Sequence, residues 1–181
     1  LSIITAEKLP VLDLDQSTNP EFIKEALSSS VNYSSEWDFD RGMRLASSQL
    51  MGGGTRKGIV FLSTGELNAE AFSFYSLLET LDYLKNNDII FYTVYINKDD
   101  MSPELEYLSE QTGGFTMPLY DPSGIKGIFP HLRKKSSGSY TLKYTTDRDS
   151  DFGRRGLPVE IQVSHLDRSG KDSSVYYGPA E

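Results

Sequence analysis

Lys57 to Glu66, KGIVFLSTGE, limits the fold more than any other stretch of this chain. The apolar run Ile59-Val60-Phe61-Leu62 ends in Ser63-Thr64-Gly65-Glu66, and an amphipathic segment follows. A run this short and this uniformly apolar predicts a strand covered on both faces, as in a parallel sheet flanked by helices. Open α/β sheets meet their ligands at the carboxyl ends of strands. The same residues that imply an architecture therefore mark a candidate site, at Ser63, Thr64 and Glu66.

The surrounding text alternates strand and helix signals through about residue 135, which predicts a parallel sheet. Residues 1–5 and 9–13 read as two short strands, with Pro10 marking an edge or a break. Asn19-Pro20-Glu21 predicts a helix start, with Asn19 as N-cap and Phe22, Ile23, Ala26 and Leu27 as the apolar face. A second helix is expected from about Asp38 to Met51, on Phe39, Met43, Ala46 and Leu50. A third is expected over 68–86, where Phe74, Leu77, Leu78, Leu81 and Leu84 share a helical period. IIFYTVYI (89–96) reads as another buried strand. Ser102-Pro103 opens a helix to about Gln111, residues 115–117 form a brief strand, and Asp121-Pro122 begins a last helix to about Lys135. Beyond Ser136, residues 138–146, 157–165 and 174–177 alternate like an antiparallel meander, expected as one more strand on the sheet plus a small hairpin. Asp167 to Lys171 reads as its hairpin loop. The expected organisation is an α/β domain over 1–136 and a β extension over 137–181, packed on or beside it.

Composition narrows the function. The 181 residues carry a net charge of −8, which argues against a nucleic-acid partner or an anionic membrane surface. No run approaches the roughly 20 apolar residues of a membrane span. There are no cysteines, so disulfides, thiol catalysis and Cys-ligated zinc are excluded. The two histidines, His131 and His165, have no metal-ligand spacing. Gly52-Gly53-Gly54-Thr55-Arg56-Lys57 has the composition of a phosphate loop but precedes a strand, whereas such loops follow one. It reads as a helix stop and turn. His131, with Arg133, Lys134 and Lys135, reads as the basic end of a helix.

The order of these elements resembles a von Willebrand factor A domain. FDRGMRLASSQLM followed by IVFLSTGE resembles the family's helix and its Val-Ile-Leu-Leu-Thr-Asp-Gly strand. IIFYTVYINKDD resembles the next buried strand and its acidic loop. SPELEYLSEQTGGFTMPLYDPSGIKGIFPHL resembles the family's later helix, short strand and last helix. SYTLKYTTD and LPVEIQVSHLDRSGKDSSVYYG resemble a β extension common in bacterial members. LSIITAEKLPVLDLDQSTNPEFIKEAL resembles the family's middle and edge strands and the helix after them, which leaves its first strand and first helix without a counterpart here.

The resemblance implies a Rossmann-like, mostly parallel sheet flanked by helices, with a C-terminal antiparallel β extension. It also implies a place for the family's metal-ion-dependent adhesion site, which draws on an Asp-x-Ser-x-Ser loop, a Thr before the second helix, and the Asp of Thr-Asp-Gly. Thr64 stands at that Asp, Ser35 is nearest to the Thr, and the first loop has no counterpart. Mg²⁺ wants hard oxygen ligands including carboxylates, so no metal or other cofactor is expected. In the plainer reading, Ser35, Ser63 and Thr64 satisfy backbone groups at strand and helix ends. In the functional one, Ser35, Trp37, Asp38, Thr64 and Glu66 contact a protein partner. The expectation is a non-catalytic protein-interaction or assembly module, with an exported or cell-surface bacterial setting implied by the resemblance. The alternative is a Rossmann-like enzyme or small-ligand domain using Ser63, Thr64 and Glu66.

Overall fold

A computed structural model describes residues 1–29, 37–51, 56–97, 101–134, 156–165 and 168–177. The chain divides into two compact units, Leu1–Gly138 and Ser139–Glu181.

The first unit opens with an antiparallel pair, β1 (Ile3–Thr5) and β2 (Val11–Leu14). Helix α1 (Pro20–Ser29) starts as its sequence predicts, with Asn19 Oδ1 accepting the Glu21 N–H. Of its expected apolar face only Ala26 is buried, while Phe22 and Leu27 are exposed. Helix α2 (Phe39–Gln49) buries Phe39, Met43 and Ser47. Strand β3 (Lys57–Ser63) pairs in parallel with β4 (Ile89–Tyr95), and β4 with β5 (Thr116–Pro118), in the order β3-β4-β5. Helices α3 (Leu77–Asn86) and α4 (Pro103–Gln111) alternate with these strands, and α5 (Ile128–Lys134) follows a single 3-10 turn at Ile125–Gly127.

β4 is buried along its whole length and forms the centre of the sheet. One face carries Phe61, Phe91, Phe39, Leu81, Leu84, Leu105 and Leu108 as a core shared with α2, α3 and α4. The other gathers Ile90, Tyr92, Val94, Met117 and Ile128 under α5. Gly114 is required where the chain enters β5, because a Cβ there would stand 1.9 Å from the Phe91 carbonyl oxygen.

Three expectations for this unit need correction. KGIVFLS is not covered on both faces: β3 is the outer strand of its sheet among the described residues, with Val60 40% and Leu62 56% exposed. A uniformly apolar run does not distinguish a central strand from an edge strand with an uncovered face. The helix expected over 68–86 begins only at Leu77. Ser76 and Glu79 form a reciprocal capping box, which fixes the start there despite the helical period upstream. It ends at Asn86, with Asp88 in the left-handed region (φ 53°). His131, Arg133 and Lys134 do lie in the last turn of α5, as expected, and His131 Nδ1 also lies 3.0 Å from the hydroxyl of Tyr92. Asp121 accepts the Ser123 N–H in a turn rather than capping a helix.

In the second unit β6 (Gly156–His165) and β7 (Arg168–Tyr177) form a two-stranded antiparallel sheet. His165 pairs with Arg168, so residues 169–171 belong to the strand and not to a loop. The strand expected over 138–146 lies outside the described residues.

Candidate functional site

The strand ends are organised by backbone hydrogen bonding. Ser63 Oγ accepts the Gly65 N–H at 3.1 Å. Gly65 takes φ 120°, a conformation that favours glycine, and its carbonyl accepts the Ser102 N–H at 2.9 Å. Ser102 makes no cap to its own helix; its Oγ accepts the Leu67 N–H at 2.8 Å and ties the turn after β3 to the start of α4. Ser63 thus does what the plainer reading of the sequence expects. Thr64 contributes its carbonyl to the Asn97 N–H, leaving its side chain exposed, as is that of Glu66.

The parallel register extends one residue beyond the strands. Ser63 pairs with Tyr95 and Tyr95 with Pro118, so Thr64, Ile96 and Leu119 stand abreast. The bonds Ile96 N–H to Ser63 carbonyl and Leu119 N–H to Tyr95 carbonyl hold them there. Ile96, Leu119 and Tyr120 are exposed, Tyr120 to 77%. Thr64, Ile96 and Leu119 are thus exposed neighbours at the strand ends, and Glu66 and Tyr120 are exposed one or two residues further along their chains. None of the three was among the expected site residues. The buried run of β4 and the brief β5 drew attention to their interiors, whereas exposure here depends on where the two strands stop.

Trp37 and Asp38 are placed differently from Thr64 and Glu66. The Trp37 ring is half-buried, stacked on Phe61 (centroids 6.0 Å apart) and edge-on to Phe39 (6.4 Å). Its carbonyl accepts from Asn68 Nδ2 at 2.6 Å. Asp38 is the N-cap of α2: Oδ1 accepts the Arg41 N–H, and Oδ2 lies 3.3 Å from Arg41 Nε. Ser35 lies outside the described residues. The structure thus brings Thr64 and Glu66 to the strand-end surface and builds Trp37 and Asp38 into the packing beside it.

Asp40, another residue absent from the sequence expectation, anchors that packing. Its side chain is fully buried, and Oδ2 accepts the N–H groups of Phe74 (2.7 Å) and Tyr75 (2.8 Å). These bonds hold the segment that precedes α3. Arg41 lies over the Phe74 ring, and Arg44 over those of Tyr75 and Tyr83. Asp40 Oδ1 is buried without a hydrogen-bond partner among the described residues, and the carboxyls of Asp38 and Asp40 influence each other's ionisation. Desolvation pushes the Asp38 carboxyl above its ordinary range, with the Asp40 contact acting in the same direction. Desolvation pushes Asp40 up too, but its interactions with Asp38, Tyr75, Phe74 and Arg41 more than offset it and hold the group below the usual range. The sequence signal was the spacing Asp38-Phe39-Asp40, which puts a second carboxylate in the first helical turn.

Among the described residues no group of three or more His, Cys, Asp or Glu side chains is placed to hold a metal ion. No helix among them is long and apolar enough to cross a membrane. A shallow surface depression lies between α2 and α3, lined by Met43, Arg44, Thr80 and Leu84, none of them at the strand ends.

Parallel strands joined by helices, with an exposed surface at their carboxyl ends, define the Rossmann-like α/β class. Within that class the fold is von Willebrand factor A-like. It is similar to the SpRpn10 VWA domain, at 13% identity over 78% of this chain and 75% of that one, with a TM-score of 0.51. It is similar also to a von Willebrand factor type A protein from Catenulispora acidiphila, at 12% identity and a TM-score of 0.51. That match covers 99% of this chain but 46% of the other. An uncharacterized membrane spanning protein from Vibrio fischeri matches at 17% identity over 73% of each chain, with a TM-score of 0.33 that carries no argument about the fold. No family model and no curated protein matches the chain.

Proposed function

We propose that the chain is a non-catalytic protein-interaction module of von Willebrand A type that engages its partner through the carboxyl ends of β3, β4 and β5 without a metal ion. The observation that supports this most directly is the exposed surface formed by Ile96, Leu119 and Tyr120, with Thr64 and Glu66 at its side. Exposed aromatic and aliphatic groups on rigid strand ends are the usual anchors of a protein interface, and polar neighbours form its rim. Trp37 and Asp38 support this surface from within, through the aromatic cluster and the α2 cap, rather than touching the partner.

Metal independence follows from the ligand chemistry. Mg²⁺ at strand ends needs carboxylate oxygens, whereas Thr64 offers a hydroxyl and Asp38 and Asp40 are engaged with backbone groups. An exported or cell-surface setting belongs to the same reading and rests on the resemblance to bacterial domains with a β extension.

The test is affinity capture from cells of origin, comparing wild type with an Ile96→Asp/Tyr120→Ser variant. A specific partner is expected to be retained by wild type, with or without EDTA, and weakened at least about tenfold in the variant, equivalent to about 1.4 kcal/mol. Equal capture by both proteins, or capture abolished by EDTA, would overturn the reading.

A further inference from the structure

The outer face of α5 is basic in an acidic protein. From Pro122 to Lys134 the chain carries no Asp or Glu, while Lys126, Arg133 and Lys134 are exposed and the net charge of the whole is −8. None of the three cations has an ion pair among the described residues. Asp121, the preceding acid, is engaged by the N–H and hydroxyl of Ser123. Cations in a last helical turn complement the helix dipole, which explains Arg133 and Lys134. It explains neither Lys126, in the turn before α5, nor Phe129, which is 59% exposed between the two ends.

The inner side of α5 fixes this face in place. A seven-residue helix has little stability of its own. Ile128 is buried in the cluster with Ile90, Tyr92, Val94 and Met117, and Leu132 packs at Gly58. His131 adds its contact with the Tyr92 hydroxyl, and its ring lies edge-on to Phe115 at 5.2 Å. Residues three and four apart share a helix face, so Lys126, Phe129 and Arg133 line up on the outer side, with Lys134 beside them. The rise from Lys126 to Lys134 is about 12 Å, the reach of about four residues of extended chain.

We propose that the outer face of α5 docks a short acidic segment of a partner protein, with carboxylates at both ends and an apolar side chain between them. The carboxylates meet Lys126 at one end and Arg133 and Lys134 at the other, and the apolar side chain lies on Phe129. Charge decides the occupant. A membrane surface or a nucleic acid is an extended polyanion that must also face the acidic remainder of the chain, which repels it. A short segment meets the cations alone, since ionic screening over about 8 Å at physiological salt removes the more distant charges. This is a second surface, beyond the strand-end reading: Leu132 meets Gly58 near the amino end of β3, so the basic end of α5 lies away from Thr64.

The probe is a dye-labelled synthetic peptide of two glutamates, two leucines and two glutamates, titrated with the 181-residue chain and read by fluorescence anisotropy. Saturable binding is expected, weakening at least about fivefold between about 50 and about 500 mM NaCl. The same peptide with glutamine for every glutamate is expected not to bind. Arg133→Gln/Lys134→Gln should weaken binding about fivefold with the thermal transition retained, and Phe129→Ser about threefold or more. Arg133→Glu/Lys134→Glu should abolish it; if that variant fails to fold, the glutamine pair decides. Tyr120→Ser should bind the peptide as wild type does, so failure of the strand-end surface and failure of this one are read separately. No binding by wild type, equal binding of the glutamine peptide, or full binding by the glutamine pair would each overturn the proposal. So would attachment to phosphatidylserine vesicles in place of the peptide. Self-association in place of peptide binding, removed by the same charge changes, would overturn it too and assign the face to a second copy.

Discussion

Replacing Asp40 by alanine removes the one acceptor that serves two part-buried N–H groups. In the native chain Asp40 Oδ2 binds the Phe74 and Tyr75 amides at 2.7 and 2.8 Å, and the side chain is completely buried. Hydrogen bonds to a charged acceptor contribute roughly 1.5–3 kcal/mol each. Removing the buried charge also recovers its desolvation penalty, so the sum of the two bonds is an upper bound. The expected loss is about 3 kcal/mol, because the alanine variant leaves two donors unpaired where the segment before α3 meets α2. Asp40→Asn keeps an oxygen for those amides and gives up only its charge, so its loss should be about 1 kcal/mol. Trp37, the single tryptophan, stacks on Phe61 within this unit and reports its unfolding by fluorescence. Urea titration should show a lower midpoint at unchanged slope. If Asp40→Ala costs less than Asp40→Asn, or less than about 1 kcal/mol, the Phe74 and Tyr75 amides are satisfied by other means and Asp40 does not anchor the segment.

Three further outcomes follow from the same geometry. The Asp40 pKa is depressed, so its contribution is present above the ordinary carboxyl range near pH 4 and lost as pH falls through its folded value; the raised Asp38 contributes below that range and loses its contribution as pH rises. The stability difference between wild type and Asp40→Asn should therefore grow as pH rises from about 3 to 7, while that for Asp38→Asn should shrink, and parallel pH profiles in urea titrations would contradict this assignment. Gly114→Ala should cost at least about 3 kcal/mol, because its Cβ meets the Phe91 backbone rather than a movable side chain; a midpoint near wild type would show that the β4–β5 approach is looser than described. Mg²⁺, Mn²⁺ and Ca²⁺ should leave the thermal midpoint unchanged, whereas a site filled at about a hundred times its Kd would add about 2.7 kcal/mol and appear as a saturable rise of several degrees.

The sequence alone was enough to read the order of strands and helices, the parallel character of the β3–β5 sheet and the antiparallel character of the last pair. Those properties arise from period and composition: IIFYTVY is apolar throughout, GLPVEIQVSH alternates, and Asn19-Pro20-Glu21 carries its own helix start. Ser63 was legible as a strand-end cap because its bond to Gly65 spans only two residues. What the chain could not disclose from local pattern was which apolar segment lies at the centre. KGIVFLS and IIFYTVY look alike as text, yet β4 has a partner on each side while β3 has one among the described residues. Helix α3 shows the same limit in the other direction, since a continuous helical period was overruled by one capping box at Ser76.

The strand-end surface and the Asp40 anchor belong wholly to tertiary structure. Ile96, Leu119 and Tyr120 stand together because three strands end in register, though about two dozen residues separate Ile96 from Tyr120 in the chain. Asp40 reaches Phe74 and Tyr75 across 34 and 35 residues. Hydrophobic period and capping act over a turn or two of chain and are written into the sequence. Strand order, the exposure of an edge and the pairing of a buried carboxylate depend on neighbours distant in sequence, and only the packed sheet decides them.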